Sequence, residues 1–286
     1  MELLDGRKVS SELLEGLEKE VLELKRKNVH PHLTVILVGD SPASRVYVKH
    51  KRKACEKIGI EYEQLDYKAD EMDTEKLIAK IHELNENPRV HGILVQLPLP
   101  DHIYGPEVIK AIEPKKDVDG FTAYNLGKVF LSTEFEDLPP ATALGIIKLL
   151  DYYKIDFVGK EAVVVGSSNI VGKPVSTMLL NRKATVTTCN SKTKDLKSHT
   201  SRADLLVVAV GKKHLITEDM VKEGAVVVDV GINRDDDGKL YGDVDFENVS
   251  KKVSYITPVP GGVGPMTIAC LMENILTACK RLNNIN

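Results

Sequence analysis

The residues best suited to chemistry in the first half of the chain lie on one predicted helix. Ser44, Tyr47 and Lys51 occupy positions i, i+3 and i+7, so a helix over about 42–58 places them on one face. A lysine beside a tyrosine hydroxyl can transfer protons when burial or polar neighbours lower its pKa. Lys51 also lies in the basic run 49–53, and such runs are usually solvated helix faces. Spacing alone leaves a catalytic and a structural interpretation open.

Two further polar stretches follow apolar ones. Gln96 ends the predicted strand 92–96 within the sequence VQLPLP, and ligands of open α/β sheets bind at the carboxyl ends of strands. Asp117 and Asp119 lie two residues apart, just before a glycine, where acids commonly form turns. These side chains are candidates for a site, with a loop amide that caps its own backbone and plain turn residues as the alternatives.

A glycine-containing turn in the second half is typical of nucleotide binding. The predicted strand 162–165 is followed by GSSNIVG over 166–172, and Lys173 and Pro174 then open a helix. Glycines at such a turn let the backbone approach a pyrophosphate, and the helix N-terminus stabilises the negative charge. The GxGxxG spacing is not met, so a tight turn of an ordinary α/β domain is the alternative.

The next strand bears on the choice of cofactor. In dinucleotide folds an acid about 20 residues further on binds the ribose 2′-hydroxyl of NAD and repels a 2′-phosphate. Here the strand 184–189 is followed by Ser191 and Lys192, with no carboxylate before Asp195. A hydroxyl and an ammonium group suit a phosphate, so the pattern favours NADP. Ser191 is equally suited to capping the following helix.

The composition excludes several classes of protein. The 286 residues carry 39 Lys and Arg against 42 Asp and Glu, a net charge of −3, which lacks the footprint of a nucleic-acid or anionic-membrane binder. The 9 Tyr, 5 Phe and absence of Trp argue against a surface that stacks on single-stranded bases. Four scattered cysteines and an N-terminus without an apolar signal segment lead us to expect a cytoplasmic protein with reduced thiols.

Amphipathic helices and apolar strands alternate along the chain, which is typical of parallel sheets covered by helices. The predicted strands lie near 33–38, 60–65, 92–96, 162–165, 184–189, 205–210 and 225–230. Between 114 and 140 the alternation stops among prolines and glycines, so we expect a connection and a domain boundary there. A rigid loop over 257–265 and a final helix over about 266–281 complete the prediction.

Taken together, these segments closely resemble the bifunctional methylenetetrahydrofolate dehydrogenase/methenyltetrahydrofolate cyclohydrolase family. The resemblance runs in order through nearly the whole chain, and its most specific motif is the last one. The matching segments are SxxYxxxK at 44–51, VQLPLP at 95–100, KDVDGF at 116–121, the turn at 166–174, VDVGIN at 228–233, GDVD at 242–245 and TPVPGGVGPMT at 257–267.

The resemblance implies a two-step enzyme of one-carbon metabolism. Such enzymes oxidise 5,10-methylenetetrahydrofolate with NADP and hydrolyse the methenyl product to 10-formyltetrahydrofolate, for purine and amino-acid biosynthesis. The implied fold has two α/β domains with a cleft between them, and the implied assembly is a homodimer. The folate-binding catalytic domain is expected over 1–120 and 267–286, and the Rossmann-like NAD(P)-binding domain over 140–266. The alternatives are an enzyme that keeps one activity or prefers NAD, and a non-catalytic dinucleotide-binding module.

The resemblance also assigns roles to individual residues. Lys51 is expected to transfer the proton of the cyclohydrolase step, with Gln96 tuning it. Tyr47 is expected to stack on the folate and Asp119 to hold its pterin ring, which completes the catalytic set. The implied folate-binding residues are Ser44, Tyr47, Val95, Leu97, Asp119, Pro258, Gly261 and Gly262. The implied cofactor-binding residues are Gly166, Ser167, Ser168, Ser191 and Ile232.

The sequence departs from the family pattern at three places. Many members have Arg where Ser167 stands, and because that arginine clamps the 2′-phosphate, we expect weaker selectivity for NADP. Many have His where Asn190 stands, and the Pro-Cys-Thr-Pro that often opens the connecting helix is here PATA over 140–143. None of these changes involves Lys51, so both activities are expected.

Two segments resemble fragments of metal sites. His30 and His32 flank a proline, and Asp235–Gly238 reads DDDG. Neither segment has further ligands at supporting spacing, so a turn before the first strand and an exposed hairpin turn explain them better. We expect no metal.

Overall fold

The computed structural model describes residues 1–235 and 238–285, and the chain divides into two compact units. Unit 1 contains Met1–Ser11, Val129–Phe135 and Thr142–Thr267. Unit 2 contains Glu12–Lys128, Glu136–Ala141 and the chain from Ile268 onward. Both units are α/β, as the sequence predicts. None of the helices in the described residues combines the length and the apolar character needed to cross a membrane.

Strands and helices are numbered in chain order. The strands are β1 (Glu2–Leu3), β2 (His32–Val38), β3 (Glu61–Tyr67), β4 (Gly92–Val95), β5 (Glu161–Val165), β6 (Thr185–Cys189), β7 (Leu205–Val208), β8 (Val226–Asp229), β9 (Asn233–Arg234), β10 (Leu240–Tyr241) and β11 (Tyr255–Ile256). The helices are α1 (Gly6–Arg26), α2 (Pro42–Ile58), α3 (Thr74–Glu86), α4 (Gly105–Lys110), α5 (Ala123–Leu131), α6 (Ala141–Tyr152), α7 (Gly172–Asn181), α8 (Leu196–Thr200), α9 (Phe246–Val249) and α10 (Val263–Leu282).

Unit 2 is built on a parallel sheet with the strand order β3-β2-β4. The central strand β2 is buried from Leu33 to Val38, which explains its largely apolar sequence, because a parallel strand with both faces covered has no polar side. The one polar residue of that stretch, Thr34, donates a hydrogen bond from Oγ1 to the carboxylate of Glu63. The edge strand β3 instead alternates between half-buried and exposed residues. Ile36 lies opposite Val95 in the register of β2 and β4, so the chain leaves both strands at the same edge of the sheet.

Helix α2 follows β2 and has well-defined ends. Ser41 is its N-cap, with a side chain that accepts a hydrogen bond from the backbone N–H of Ser44, and Pro42 occupies the first turn. Gly59 ends the helix in the left-handed conformation at φ 84° and donates its N–H to the carbonyl of Cys55. The caps therefore define the two ends of the helix, and its buried apolar residues Val48, Ala54, Cys55 and Ile58 determine which face packs inward.

Unit 1 is built on a larger parallel sheet with the strand order β1-β11-β8-β7-β5-β6. The sequence predicts β5 to β8 but not β1 and β11, which have two residues each and are too short to show a period. Val165, the last residue of β5, lies opposite Cys189 of β6 and Val208 of β7. The carboxyl ends of the central strands therefore form one aligned edge.

Helices α5 and α10 differ from the sequence predictions. Helix α5 lies within 114–140, where the prediction has only a connection, because its Gly127 and Asn125 weaken the helical pattern. Helix α10 begins at Val263 rather than near 266, since a proline is tolerated in the first turn. The predicted hairpin turn at 235–238 is flanked by β9 and β10, which pair antiparallel, while Asp236 and Asp237 lie outside the described residues.

The segment 116–122 of unit 2 is anchored to the end of α3 by a buried lysine. Lys116 is 5% exposed, and its Nζ donates to the backbone carbonyls of Leu84, Asn85 and Asn87 at 3.1, 2.6 and 2.8 Å. The last carbonyls of a helix have no partner within the helix, so the ammonium group caps α3. The burial of Lys116 is thus explained by this structural role at the end of α3.

Asp117 shapes the turn that follows. Its carboxylate, 1% exposed, accepts the backbone N–H groups of Gly120, Phe121 and Thr122 at 3.0, 3.2 and 2.8 Å. It also accepts the amide of Asn125 at 2.9 Å. The interpretation of Asp117 as a turn-forming residue is confirmed.

Replacing Asp117 with alanine should lower the free energy of unfolding by about 3 kcal/mol, because buried backbone N–H groups would lose their acceptor. Urea unfolding followed by circular dichroism measures the change. Asp119→Asn is the matched control, and it should leave stability unchanged or raise it, because burial disfavours the charged form of that carboxyl. Equal midpoints for the two variants would show that Asp117 does not organise the turn.

Candidate active site

The basic run on α2 separates into one buried and several exposed side chains. Lys51 is only 8% exposed, whereas Lys49 and Lys53 are exposed. The interpretation of the run as a solvated face is therefore right for its neighbours and wrong for Lys51. Ser44 is buried on the same face, and Tyr47, between them, is 39% exposed.

Lys51 contacts the residue that ends β4. Its Nζ lies 3.1 Å from Oε1 of Gln96, which is itself buried. The other end of that amide donates from Nε2 to the carbonyl of Leu97 at 2.7 Å. Because the nitrogen end of the amide is held by the backbone, the oxygen end faces the lysine. The interpretation of Gln96 as an amide that caps its own loop is therefore right. The same hydrogen bond turns its carbonyl oxygen toward Lys51 as an acceptor.

Burial shifts the ionisation of the two charged groups in this region in opposite directions. Desolvation lowers the pKa of Lys51 below its ordinary value of 10.5, with the charge of Asp119 opposing the shift. Desolvation likewise raises the pKa of Asp119, opposed by Lys51 and reinforced by Asp117. The thiol of Cys55, one helical turn after Lys51, has its pKa raised by burial to about 12, so it stays neutral. The site thus combines a lysine that releases its proton easily with a carboxyl group that accepts one easily.

The remaining side chains of this set leave polar and apolar surface for a ligand. The Oγ of Ser44 is buried and has no hydrogen-bond partner among the described residues, which suits a ligand that brings its own polar group. Asp119 and Leu97 are half-buried. Val95 is 2% exposed and packs in the core of unit 2, so any contact it makes with a ligand uses its backbone.

The glycine turn of unit 1 has the geometry expected of a phosphate site. Gly166 has φ 125°, and a Cβ there would lie 2.3 Å from the carbonyl oxygen of Ala209. A Cβ on Gly172 would lie 2.0 Å from the carbonyl oxygen of Gly166. Ser168 closes the turn, since its Oγ accepts the N–H groups of Val171 and Gly172 at 3.2 and 3.4 Å. Only glycine fits these positions, and the N-terminus of α7 follows directly, so the residues fit a pyrophosphate.

A second turn presents the residues predicted to bind a 2′-phosphate. The side chain of Asn190 accepts the N–H of Lys192 at 2.9 Å, and Thr193 Oγ1 accepts the N–H of Asn190 at 2.8 Å. Ser191 and Lys192 are exposed at its tip. The cap of α8 is Asp195, whose side chain accepts the N–H of Ser198, so the alternative role of Ser191 as that cap is wrong.

Two further loops of unit 1 carry predicted site residues. Ile232 follows β8 and is 45% exposed, which is unusual for an isoleucine beside a buried strand. The loop Pro258–Gly262 is closed by a hydrogen bond of 2.8 Å from the N–H of Gly262 to the carbonyl of Pro258. Gly261 has φ 120°, a conformation that favours glycine. Both loops leave the sheet at its carboxyl edge.

The structure also reveals functional candidates that the sequence analysis missed. Asp229 and Asp243 are 3% and 0% exposed, and both bind the backbone of these loops. They belong to the motifs VDVGIN and GDVD, but a motif does not show which of its acids are buried. The residues predicted from the sequence thus divide between the units: one set lies around Lys51 in unit 2, and the others lie in loops of unit 1.

The segments that resemble metal-site fragments have other partners. His30 lies 3.5 Å from Glu61, and His32 lies 3.9 Å from Glu63, on the neighbouring strand β3. Over residues 1–235 and 238–285, no group of three or more His, Cys, Asp or Glu side chains is arranged to hold a metal ion.

Comparison with known proteins shows the family to which both halves of the chain are similar. Residues 4–119 match the family profile "Tetrahydrofolate dehydrogenase/cyclohydrolase, catalytic domain", and residues 140–283 match its NAD(P)-binding domain. The Bifunctional protein FolD of Nautilia profundicola is 54% identical over 280 residues, which cover 98% of each chain. The crystal structure of bifunctional FolD from Campylobacter jejuni aligns with TM-score 0.94 at 53% identity, over 98% of this chain and 99% of that one.

A more distant structure extends the comparison to a bound cofactor. The Trypanosoma brucei enzyme, described as a complex with NADP and an inhibitor, aligns with TM-score 0.93 at 37% identity, over 97% of this chain and 96% of that one. These similarities cover both units and nearly every residue. The chain belongs to the tetrahydrofolate dehydrogenase/cyclohydrolase family.

Proposed function

We propose that Lys51, Tyr47, Gln96 and Asp119 carry the chemistry of a bifunctional folate enzyme. The protein oxidises 5,10-methylenetetrahydrofolate to 5,10-methenyltetrahydrofolate with NADP, and it hydrolyses the methenyl product to 10-formyltetrahydrofolate. The observation that carries the residue assignment is the buried lysine amine 3.1 Å from the Gln96 oxygen, because a surface lysine of the same helix would remain protonated.

In the hydrolytic step, Lys51 acts as the base. The methenyl substrate is a cation, and water adds its oxygen to the bridging carbon. Burial lowers the pKa of Lys51, so the amine loses its proton more easily than an exposed lysine does. Its neutral form accepts the proton that the water loses and places no second positive charge beside the cation before the water adds. The bond from the bridging carbon to N5 then breaks, the hydroxyl becomes the formyl carbonyl as it loses its proton, and N5 gains a proton. The overall step consumes one water and releases one proton.

The other residues of unit 2 bind and orient the substrate. Gln96 accepts one N–H of the Lys51 amine, which fixes the direction of the nitrogen lone pair. Asp119 accepts hydrogen bonds from the N–H groups of the pterin ring, and Tyr47 offers an exposed ring face for stacking. The partnerless Oγ of Ser44 adds a hydrogen bond to the bound folate. Val95 and Leu97 complete the proposed folate contacts in unit 2, and the folate-binding role of Pro258, Gly261 and Gly262 in unit 1 stays a prediction.

In the oxidative step, the protein binds and orients both reactants. NADP, when bound, supplies the hydride acceptor. Gly166, Ser167 and Ser168 would hold its pyrophosphate at the N-terminus of α7, and Ser191 its 2′-phosphate. Ile232 would contact the nicotinamide side.

The two steps should separate in the variant Lys51→Met. Cyclohydrolase activity should fall by at least about 100-fold, because the proton acceptor is lost, while hydride transfer should persist in part. Dehydrogenase activity is measured by the absorbance of the methenyl product that accumulates, and hydrolysis by the decay of added methenyltetrahydrofolate. Lys53→Met, on the exposed side of the same helix, should leave both rates unchanged.

The stability of the same variant guards against misfolding as the explanation. The folded pKa of Lys51 is below its unfolded value of 10.5, so the protonated amine costs stability below the folded pKa, and this cost disappears as pH rises to 10.5. Lys51→Met should therefore have a higher Tm at neutral pH, with a gain that shrinks in alkali. Equal loss of both activities would contradict the role of Lys51, and a wild-type protein with neither activity would overturn the proposed function.

Cofactor selectivity should respond to the missing arginine. Ser167→Arg should raise the ratio of kcat/KM for NADP over NAD about tenfold, because a guanidinium group would bind the 2′-phosphate. Lys192→Ala should lower the ratio, whereas Lys194→Ala, at another exposed lysine two residues further, should not. Initial rates with both cofactors measure the ratio. If Lys192→Ala and Lys194→Ala behave alike, Lys192 does not contact the phosphate.

We further propose that the folate-binding domain comprises 1–120 and 267–286 and the NADP-binding domain 140–266. The family-profile matches at 4–119 and 140–283 support a boundary between 120 and 140. The grouping of the chain from Ile268 onward with unit 2 supports the assignment of the last helix to the folate-binding domain. The reaction product, an activated formyl group, supports a role in supplying purine and amino-acid biosynthesis. The buried cysteines Cys55, Cys189, Cys270 and Cys279, all free, support a cytoplasmic location.

A homodimer is the proposed assembly. In the described part of the chain, β3 pairs with β2 on one side only, and an open strand edge is a natural pairing surface. Light scattering during size-exclusion chromatography should therefore give about twice the mass of the 31.6 kDa chain. A single-chain mass that persists as the protein is concentrated would contradict the dimer.

A further inference from the structure

Asp229 is a junction of the loops at the carboxyl edge of the unit 1 sheet. Its carboxylate accepts the backbone N–H groups of Gly231 at 3.1 Å, Asp243 at 2.9 Å and Val244 at 2.9 Å. Its backbone N–H donates to Thr257 Oγ1 at 2.7 Å. Thr257 opens the Pro258–Gly262 loop, so one buried aspartate joins that loop to the segment after β8.

Asp243 forms a second junction beside the first. Its carboxylate accepts the backbone N–H groups of Val210, Gly211 and Lys212 at 2.7, 3.0 and 2.7 Å. It also accepts the side-chain amide of Asn233 at 2.9 Å. The segment after β7 and the segment after β8 are thereby attached to the same carboxylate.

Glycines allow the two carboxylates to approach the backbone. A Cβ on Gly231 would lie 2.1 Å from the carboxyl group of Asp243, and a Cβ on Gly242 would lie 1.8 Å from Oδ2 of Asp229. Any side chain at either position would push a carboxylate away. Gly231 of VDVGIN therefore leaves room for the carboxylate of Asp243, and Gly242 of GDVD leaves room for the carboxylate of Asp229.

The two carboxylates hold apolar side chains at the surface. Val210, bound through its N–H to Asp243, is 40% exposed, and Ile232, between two residues that bind the carboxylates, is 45% exposed. The residue before Val210 is Ala209, whose carbonyl lies against Gly166 of the phosphate turn. The same network thus borders the turn that fits a pyrophosphate.

We propose that Asp229 and Asp243 form a carboxylate bracket that positions Val210 and Ile232 for the nicotinamide half of NADP. The inference rests on the proposed function and deepens its cofactor site. Asp243 and Asn233 are positioning residues, since they act through the backbone beneath the two apolar side chains. A planar ring is the ligand chemistry that two rigidly held aliphatic side chains fit.

The energetics favour positioning over stability as the reason for the bracket. Two fully buried carboxylates beside each other repel, and burial together with the charge of Asp243 raises the pKa of Asp229 to about 7. Desolvation and repulsion therefore offset part of the stability that the hydrogen bonds to the two carboxylates contribute. What the pair provides is a fixed direction for seven N–H donors on three segments.

Asn233→Ala and Asp243→Asn test the bracket in the full-length enzyme. Asn233→Ala removes one donor, and Asp243→Asn turns an amide NH₂ toward backbone N–H groups. The KM for NADP should rise about tenfold in each, and added NADP should raise Tm less than it does in the wild type. Hydrolysis of added methenyltetrahydrofolate should stay within about twofold of wild type, because Lys51 and Asp229 are intact. Asp245→Asn is the control, since that carboxylate binds the side chain of Asn248.

The outcomes separate the bracket from the proposed function. If the wild type has dehydrogenase activity and Asn233→Ala has the same KM for NADP, the bracket is wrong and the proposed function is unaffected. Equal losses of dehydrogenase and cyclohydrolase rates overturn it too, because they indicate general damage to the fold. If Asp243→Asn does not fold, Asn233→Ala alone decides the result. A wild-type protein without NADP-dependent activity overturns the proposed function instead.

Discussion

The proposed active site depends on the buried hydrogen bond between Lys51 Nζ and Gln96 Oε1, which the fold must form at the cost of removing an amine from water. An amine is strongly hydrated in water, and removing it from water costs several kcal/mol unless it is neutral or well paired. The register of β2 with β4 places Gln96 at the end of its strand, and the burial of Val48 and Cys55 on the same face of α2 turns Lys51 inward. Much of the architecture of unit 2 therefore keeps one lysine amine away from water, where burial disfavours its protonated form.

Acidic residues do two different kinds of work in this protein. Asp117 is fully engaged by backbone N–H groups, and Asp119, two residues later, is half-buried and has its pKa raised by burial. The first shapes the turn and the second faces the proposed ligand. A rigid turn is a requirement for the second role, because a carboxylate recognises ring N–H groups only when its direction is fixed.

The sequence predicts the parts of this arrangement that have a period or a strong local signal. The apolar runs give the main strands, and the spacing of Ser44, Tyr47 and Lys51 gives the shared face of α2. The strands β1 and β11 have no such signal, since two residues cannot show alternation. Nor does any pattern show that Asp195 caps α8 in the left-handed conformation at φ 46° while Ser191 stays exposed.

The burial of individual side chains cannot be seen in the local sequence pattern, and it decides most of the proposed roles of these residues. Within the basic run, Lys51 differs from Lys49 and Lys53 only through its position against the sheet. Asp229 and Asp243 likewise resemble any acids in a loop until the glycines beside them are seen to admit their carboxylates to the backbone. Such tertiary contacts join residues distant in sequence, so a reading of local pattern cannot supply them.

The cost of burying an ionisable group is itself informative about its role. We propose that Lys51 and Asp119 bind the folate, and there their shifted pKa values are useful to the chemistry. Asp229 and Asp243 are completely enclosed and contact only the protein's own N–H donors. Apolar side chains in their place would leave N–H donors on three segments without acceptors, which costs stability. The carboxylates therefore hold the loops and also fix the direction of their backbone, at the edge of the sheet where we propose that the cofactor binds.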